Sequence, residues 1–145
     1  MRLTVRIVTV IAAFVLAMLL VLKFWVLPGI FETQNKARTL LLVKGVLQFQ
    51  KDHGSFIETD NEGDGLPSPE RIAAILKGDN PSSKDYLDNF GEGEFKDGQI
   101  LDLYGKPYKF QVDADGIVSV VSAGANGTFG DDDDVSDQEA QADSE

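Results

Sequence analysis

The sequence predicts an α+β protein with its helices first and its strands last, and three observations predict it. From Ile7 to Leu22 the run IVTVIAAFVLAMLLVL carries no charge. From Glu32 to His53 apolar residues recur with helical spacing. In the final third the period changes: Pro107 to Val112 (PYKFQV) and Ile117 to Val121 (IVSVV) are β-rich runs separated by Asp113-Ala114-Asp115-Gly116, a strong hairpin signal.

With Lys23 able to snorkel, the first apolar run continues through FWVLPGIF to Phe31 and is long enough to span a bilayer. Arg2 and Arg6 precede it and acidic residues dominate after it, so the positive-inside rule places residues 1–6 in the cytoplasm, a transmembrane helix over 7–31 and the remainder outside the inner (cytoplasmic) membrane. Trp25 and Phe24 are expected at the outer interface. No small-x-small cleavage pattern follows the apolar run before Trp25 and Pro28, so an uncleaved anchor is expected rather than a secretory signal.

In the second helix Leu42, Val46 and Phe49 fall at i, i+4 and i+7, with Val43 and Leu47 widening the stripe, and Gly54 ends it. Pro28 either kinks one long helix or separates two. The stretch Ile57 to Pro69 is rich in Asp, Glu, Gly and Pro and is expected to be a loop. Ser68 is positioned to cap a short helix with Pro69 first, Glu70 in its first turn, and Ile72, Ala73, Ile75 and Leu76 along it. Gly78, Asn80 and Pro81 stop it, and the next twenty or so residues are turn-rich, with Tyr86, Leu87, Phe90 and Phe95 as apolar exceptions. Asp113, Asp115 and Gly116 superficially suit an EF-hand, but no Glu stands at loop position twelve and the flanks are strands. Residues 136–145 are acidic and almost free of apolar side chains, the composition of a disordered tail.

Composition removes whole classes of chemistry. With 24 acidic against 13 basic residues the net charge is −11, the wrong sign for holding a polyphosphate backbone, so no nucleic-acid partner is expected. There is no cysteine, hence no disulfide and no thiolate metal site. The single histidine, His53, stands at a predicted helix C-terminus, where a basic side chain suits the dipole. Without a nucleophile and base in proximity, neither an enzyme nor a small-molecule substrate is expected.

The concentrated signal is Ser122 to Val135, SAGANGTFGDDDDV. Gly124, Gly127 and Gly130 permit tight curvature that turns main-chain carbonyls inward, while Asn126 and Asp131 to Asp134 add side-chain oxygens. Hard oxygen ligands suit calcium, and a dication would offset the mutual repulsion of consecutive aspartates. Composition alone leaves this reading level with that of a solvated acidic run.

This loop resembles the C-terminal signature of the type II secretion major pseudopilin family, S-x-G-x-D-G-x-x-G-x-x-D-D-I, departing only at Asn126 and Val135. Asp102-Leu103-Tyr104-Gly105-Lys106-Pro107-Tyr108 resembles the family's D-P-W-G-x-P-Y. Val26 to Ala37 (VLPGIFETQNKA) resembles the segment around its transmembrane proline, and Lys51 to Phe56 (KDHGSF) the end of its long helix. The four blocks agree in order and cover most of Val26 to Val135. The resemblance implies a pilin-like fold: a long N-terminal helix, transmembrane and then amphipathic, on a small antiparallel sheet, with calcium tying down the last loop. Its implied ligands are the side chains of Asn126, Asp133 and Asp134 and the carbonyls of Ala123 and Thr128, with Asp131 and Asp132 adding negative potential. Asn126 offers a neutral oxygen where the family has a carboxylate, which lowers affinity. The N-terminal MRLTVRIVTVIAAF has neither the leader glycine nor the intramembrane glutamate of members that assemble, Ile11 lying near the glutamate's place.

Two functions follow as expectations. One is a structural or accessory component of a type II secretion or type IV pilus-like export system, with other pseudopilins or copies of itself as partners. The alternative is a stand-alone, membrane-anchored calcium-binding adaptor with an extracytoplasmic domain.

Overall fold

The computed structural model describes residues 2–54, 56, 65–112 and 118–136, with side chains from Ile11 onward. The chain is α+β and divides into two compact units, Met1–Thr33 and Gln34–Glu145. The predicted turn at Asp113–Gly116, most of the loop after Ile57 and the tail beyond Ser136 lie outside the described residues.

In the first unit α1 (Arg2–Val21) passes into a π-helical turn, Leu22–Val26, and then into α2 (Leu27–His53). Pro28 therefore neither ends the helix nor divides it in two. A proline lacks the N–H that a regular turn requires, and its ring meets the carbonyl four residues back. Here the preceding turn is wider by one residue: the Leu27 N–H donates to the Leu22 carbonyl, five residues earlier. The apolar side chains from Ile11 to Phe31 are exposed, Trp25 to 83%. Ile11–His53 is long and apolar enough to cross a membrane.

In the second unit the buried face of α2 is formed by Asn35, Thr39, Leu42, Val43, Gly45, Val46 and Phe49. Leu47, expected on this stripe, is instead 43% exposed. At about 100° per residue it falls roughly 40° beyond Val43, past the edge of the buried arc. Gly45 has a packing reason to be glycine, because a Cβ there would lie 2.7 Å from the Tyr86 carbonyl oxygen. The helix stops where expected: Gly54 takes a φ of +85° and its N–H donates to the Gln50 carbonyl, the left-handed cap that glycine adopts most easily. His53 lies in that last turn, 5.0 Å in ring separation from Phe49 and 3.0 Å from the Ser82 hydroxyl.

α3 (Pro69–Leu76) forms as its sequence predicts, with the Ser68 side chain accepting from the Arg71 N–H and Pro69 in the first turn. It buries Ile72, Ile75 and Leu76 in one core with Leu42, Val46 and Phe49 of α2, Phe56, Leu87, Phe90 and Val120. Two small antiparallel sheets complete the unit: β1 (Phe95–Lys96) with β2 (Gln99–Ile100), and β3 (Lys109–Val112), β4 (Val118–Ser122) and β5 (Val135–Ser136) in that order. β3 and β4 pair with Lys109 opposite Val121 and Val112 opposite Val118, matching the predicted strands. β4 alternates buried and half-buried residues, so one face of this sheet covers the core. Ser136, assigned to the tail by composition, instead pairs with Val121 in β5.

At the end of α2 the Asp52 carboxylate accepts from Lys84 Nζ at 2.7 Å and from the Tyr86 hydroxyl at 3.0 Å. The Lys84 hydrogen bond, then that of Tyr86, holds the Asp52 carboxyl below the ordinary carboxylate value, and Asp52 in turn raises Lys84. A depressed carboxylate stabilises the fold above its unfolded pKa, and that contribution is lost as pH falls through the folded value; a raised amine loses its contribution only at alkaline pH. The Tm difference between the wild type and Asp52→Asn is therefore expected to stay level from about pH 5 to about pH 9 and to shrink below about pH 4. Thermal unfolding followed by circular dichroism across that range checks it.

Candidate metal centre

The acidic loop is framed by a buried polar cluster. Asn35 of α2, Asp102 and Ser122 at the end of β4 are all buried, Asn35 and Ser122 completely. The Asn35 amide donates to Ser122 Oγ at 2.9 Å, and the Ser122 hydroxyl donates to Asp102 Oδ2 at 2.6 Å. Asp102 Oδ1 accepts the N–H groups of Tyr104 at 2.9 Å and Lys106 at 2.8 Å, while Asn35 Oδ1 accepts the Leu103 N–H at 3.1 Å. Each carboxylate and amide oxygen is thus occupied, as burial of such groups demands. Beside this cluster burial pushes the Tyr108 phenol up to about 12, its oxygen lying 3.4 Å from Thr39 Oγ1.

Ser122 is also the first residue of the acidic loop, and its Oγ accepts the Gly124 N–H at 3.3 Å. Gly124 has a φ of +60°, and a Cβ there would lie 2.1 Å from the Asp133 carbonyl oxygen. The two arms of the loop meet at this glycine, and a side chain would force them apart. The Gly127 N–H then donates to the Ala123 carbonyl at 3.1 Å, closing a tight turn. At the far end Val135 pairs with Ser122, so the loop leaves and re-enters the same sheet.

Between these anchors Asp131, Asp133 and Asp134 converge, one carboxylate oxygen from each lying within 4.8 Å of the others. Of the five ligands implied by sequence resemblance, Asp133 and Asp134 are in this group. Asn126 reaches it through nitrogen: Nδ2 donates to Asp131 Oδ2 at 2.8 Å and to Asp133 Oδ1 at 2.8 Å, while Oδ1 accepts the Thr128 N–H at 2.6 Å. The Ala123 carbonyl is engaged by Gly127. For Thr128 the described contact is through its N–H. Asp131, one of the acidic residues read as adding oxygens to the loop but outside the ligand set that the resemblance implies, joins the group; its signal is its spacing of two residues from Asp133 in a continuous acidic run. Its carboxyl is held below the ordinary value by its hydrogen bond with Asp133 and then by the Asn126 amide.

The donor set suits a hard cation. Three carboxylates face one another, and Asp134 Oδ1 is buried without a hydrogen-bond partner, although Asp134 Oδ2 accepts the Gly130 N–H at 2.6 Å. An orphaned carboxylate oxygen in an acidic loop is costly unless a proton or cation serves it. A cleft of about 510 Å³, lined by Lys109, Phe129, Asp131, Asp132 and Asp134 among others, opens beside the group. Asp131, Asp133 and Asp134 are the residues that would hold a divalent ion, whose charge would relieve their repulsion.

No protein-family profile, curated protein or solved structure matches the chain. Fold and site define an α+β protein with one apolar helix of membrane-crossing length among the described residues and a sheet-anchored acidic loop.

The buried cluster generates a direct expectation. Asp102→Ala leaves the Ser122 hydroxyl and the Tyr104 and Lys106 N–H groups without acceptors and is expected to lower stability by about 3 kcal/mol, whereas Asp102→Asn, keeping one carbonyl oxygen, loses roughly half as much. Urea unfolding of the two variants by circular dichroism measures both.

Proposed function

We propose that this chain is a pseudopilin-like structural or accessory component of a type II secretion or type IV pilus-like export system. In this reading it is a single-pass protein of the inner membrane, with its N-terminus cytoplasmic, its second unit extracytoplasmic and calcium holding the last loop. It acts through subunit contacts and catalyses no reaction. The observation that carries the proposal is the convergence of Asp131, Asp133 and Asp134, with one Asp134 oxygen buried and unpartnered, in a loop whose sequence resembles the pseudopilin signature. The exposed apolar side chains from Ile11 to Phe31 support the membrane assignment, and the pairing of helix and small antiparallel sheets supports a pilin-like architecture.

Calcium is expected to raise the Tm of the full chain in detergent, and Asp133→Ala combined with Asp134→Ala to abolish the gain; a wild-type chain indifferent to calcium overturns the metal assignment. Subunit assembly has a separate readout. Crosslinking in native membranes is expected to give ladders of self-association or adducts with other small single-pass proteins of the same export machinery, whereas a strictly monomeric species favours an isolated adaptor module.

A further inference from the structure

We propose that Asn126 is a built-in competitor of the cation: its amide closes the acidic loop when no metal is bound and so sets the calcium concentration at which the loop loads. The proposal rests on the calcium reading above and concerns its regulation. Asp131, Asp133 and Asp134 bring carboxylate oxygens close together, and their mutual repulsion is relieved by hydrogen-bond donors or by a cation. Asn126 serves three of them, donating from Nδ2 to Asp131 Oδ2 and Asp133 Oδ1 and from its backbone N–H to Asp133 Oδ2 at 3.1 Å. Its own carbonyl oxygen is turned away, onto the Thr128 N–H.

Calcium accepts oxygen ligands and has no use for an amide N–H. For Asn126 to coordinate, its amide must turn over, releasing both side-chain bonds to the carboxylates and the bond from Thr128. Even if Asn126 stays out of the coordination shell, the cation must still take Asp131 and Asp133 from it. Loading therefore replaces one set of charge-assisted hydrogen bonds by another set of contacts. An aspartate at position 126 has no side-chain donor to offer and keeps only the backbone N–H. It leaves the metal-free loop open and repelled, and it gives calcium one more carboxylate, so apo stability and affinity move in opposite directions.

Nuclear magnetic resonance of the full chain in micelles, with ¹⁵N-labelled asparagine, reads the amide directly. In chelator the Asn126 side-chain NH₂ is expected to be shifted from free-amide positions and slow to exchange, and to move when calcium is added. Asn126→Asp is expected to lower the Tm in chelator and to bind calcium at least about tenfold more tightly by calorimetry. Asn126→Ala lowers the Tm in chelator without matching that affinity, which separates loss of the donor from gain of a ligand. An Asn126 amide at free positions in chelator overturns the proposal, and so does equal calcium affinity in the wild type and Asn126→Asp. A held amide with no calcium response in either protein removes the calcium reading itself, and the competition with it.

Discussion

The second unit depends on one buried hydrogen-bonded chain, from Asn35 through Ser122 to Asp102. It links three parts of the sequence that the apolar core alone would leave free to slide: the helix, the turn before β3 and the end of β4. Hydrophobic burial is non-directional and fixes little register. Directional bonds among buried groups do fix it, since any slip strands a carboxylate or an amide away from water. Asp102 also organises its own turn by accepting the Tyr104 and Lys106 N–H groups, so a single carboxylate sets both a local bend and a long-range contact.

The acidic loop inherits its position from this chain. Ser122 closes the buried cluster and opens the loop, and its pairing with Val135 returns the backbone to the sheet. Within that frame Gly124 allows the Asp133 backbone to approach more closely than any side chain permits. Carboxylates that would otherwise spread into solvent are brought within reach of one another. Convergence of like charge is thus imposed by backbone geometry and relieved locally by amide donors.

Much of this was legible from residues whose physics is local. Gly54 at the end of α2, Ser68 and Pro69 at the start of α3, and the β-branched runs of β3 and β4 each announce themselves within a few positions. The stripe on α2 was legible only in its apolar part: Asn35 and Thr39 continue it with polar side chains whose partners lie far away in sequence. The exposure of Leu47 is not legible, because an apolar side chain near the edge of a helical arc carries no mark of which side it falls on. The β1–β2 pair is not legible in the sequence, although Asp97-Gly98, both at positive φ, form its turn, because strands of two residues among polar neighbours carry no alternation. In the loop, the acid-rich composition showed the charge but not which carboxylates meet. Asp131 joins because the turn brings it back toward Asp133, and Asn126 turns its nitrogen inward because those carboxylates need donors.

Asn126 is followed by Gly127, a pair of residues in which the glycine nitrogen can close on the asparagine side-chain carbonyl, expelling ammonia to give a cyclic imide that water then opens to aspartate or its backbone-lengthened isomer. Asparagine is counted among the thermolabile residues for such reasons. Here the attacking nitrogen has its N–H committed to the Ala123 carbonyl, and the carbonyl it would attack is clamped by Thr128. The bonds that shape the loop therefore also govern how it ages. A closed loop protects its amide, whereas one that lingers open is exposed to this conversion and to the added negative charge it brings.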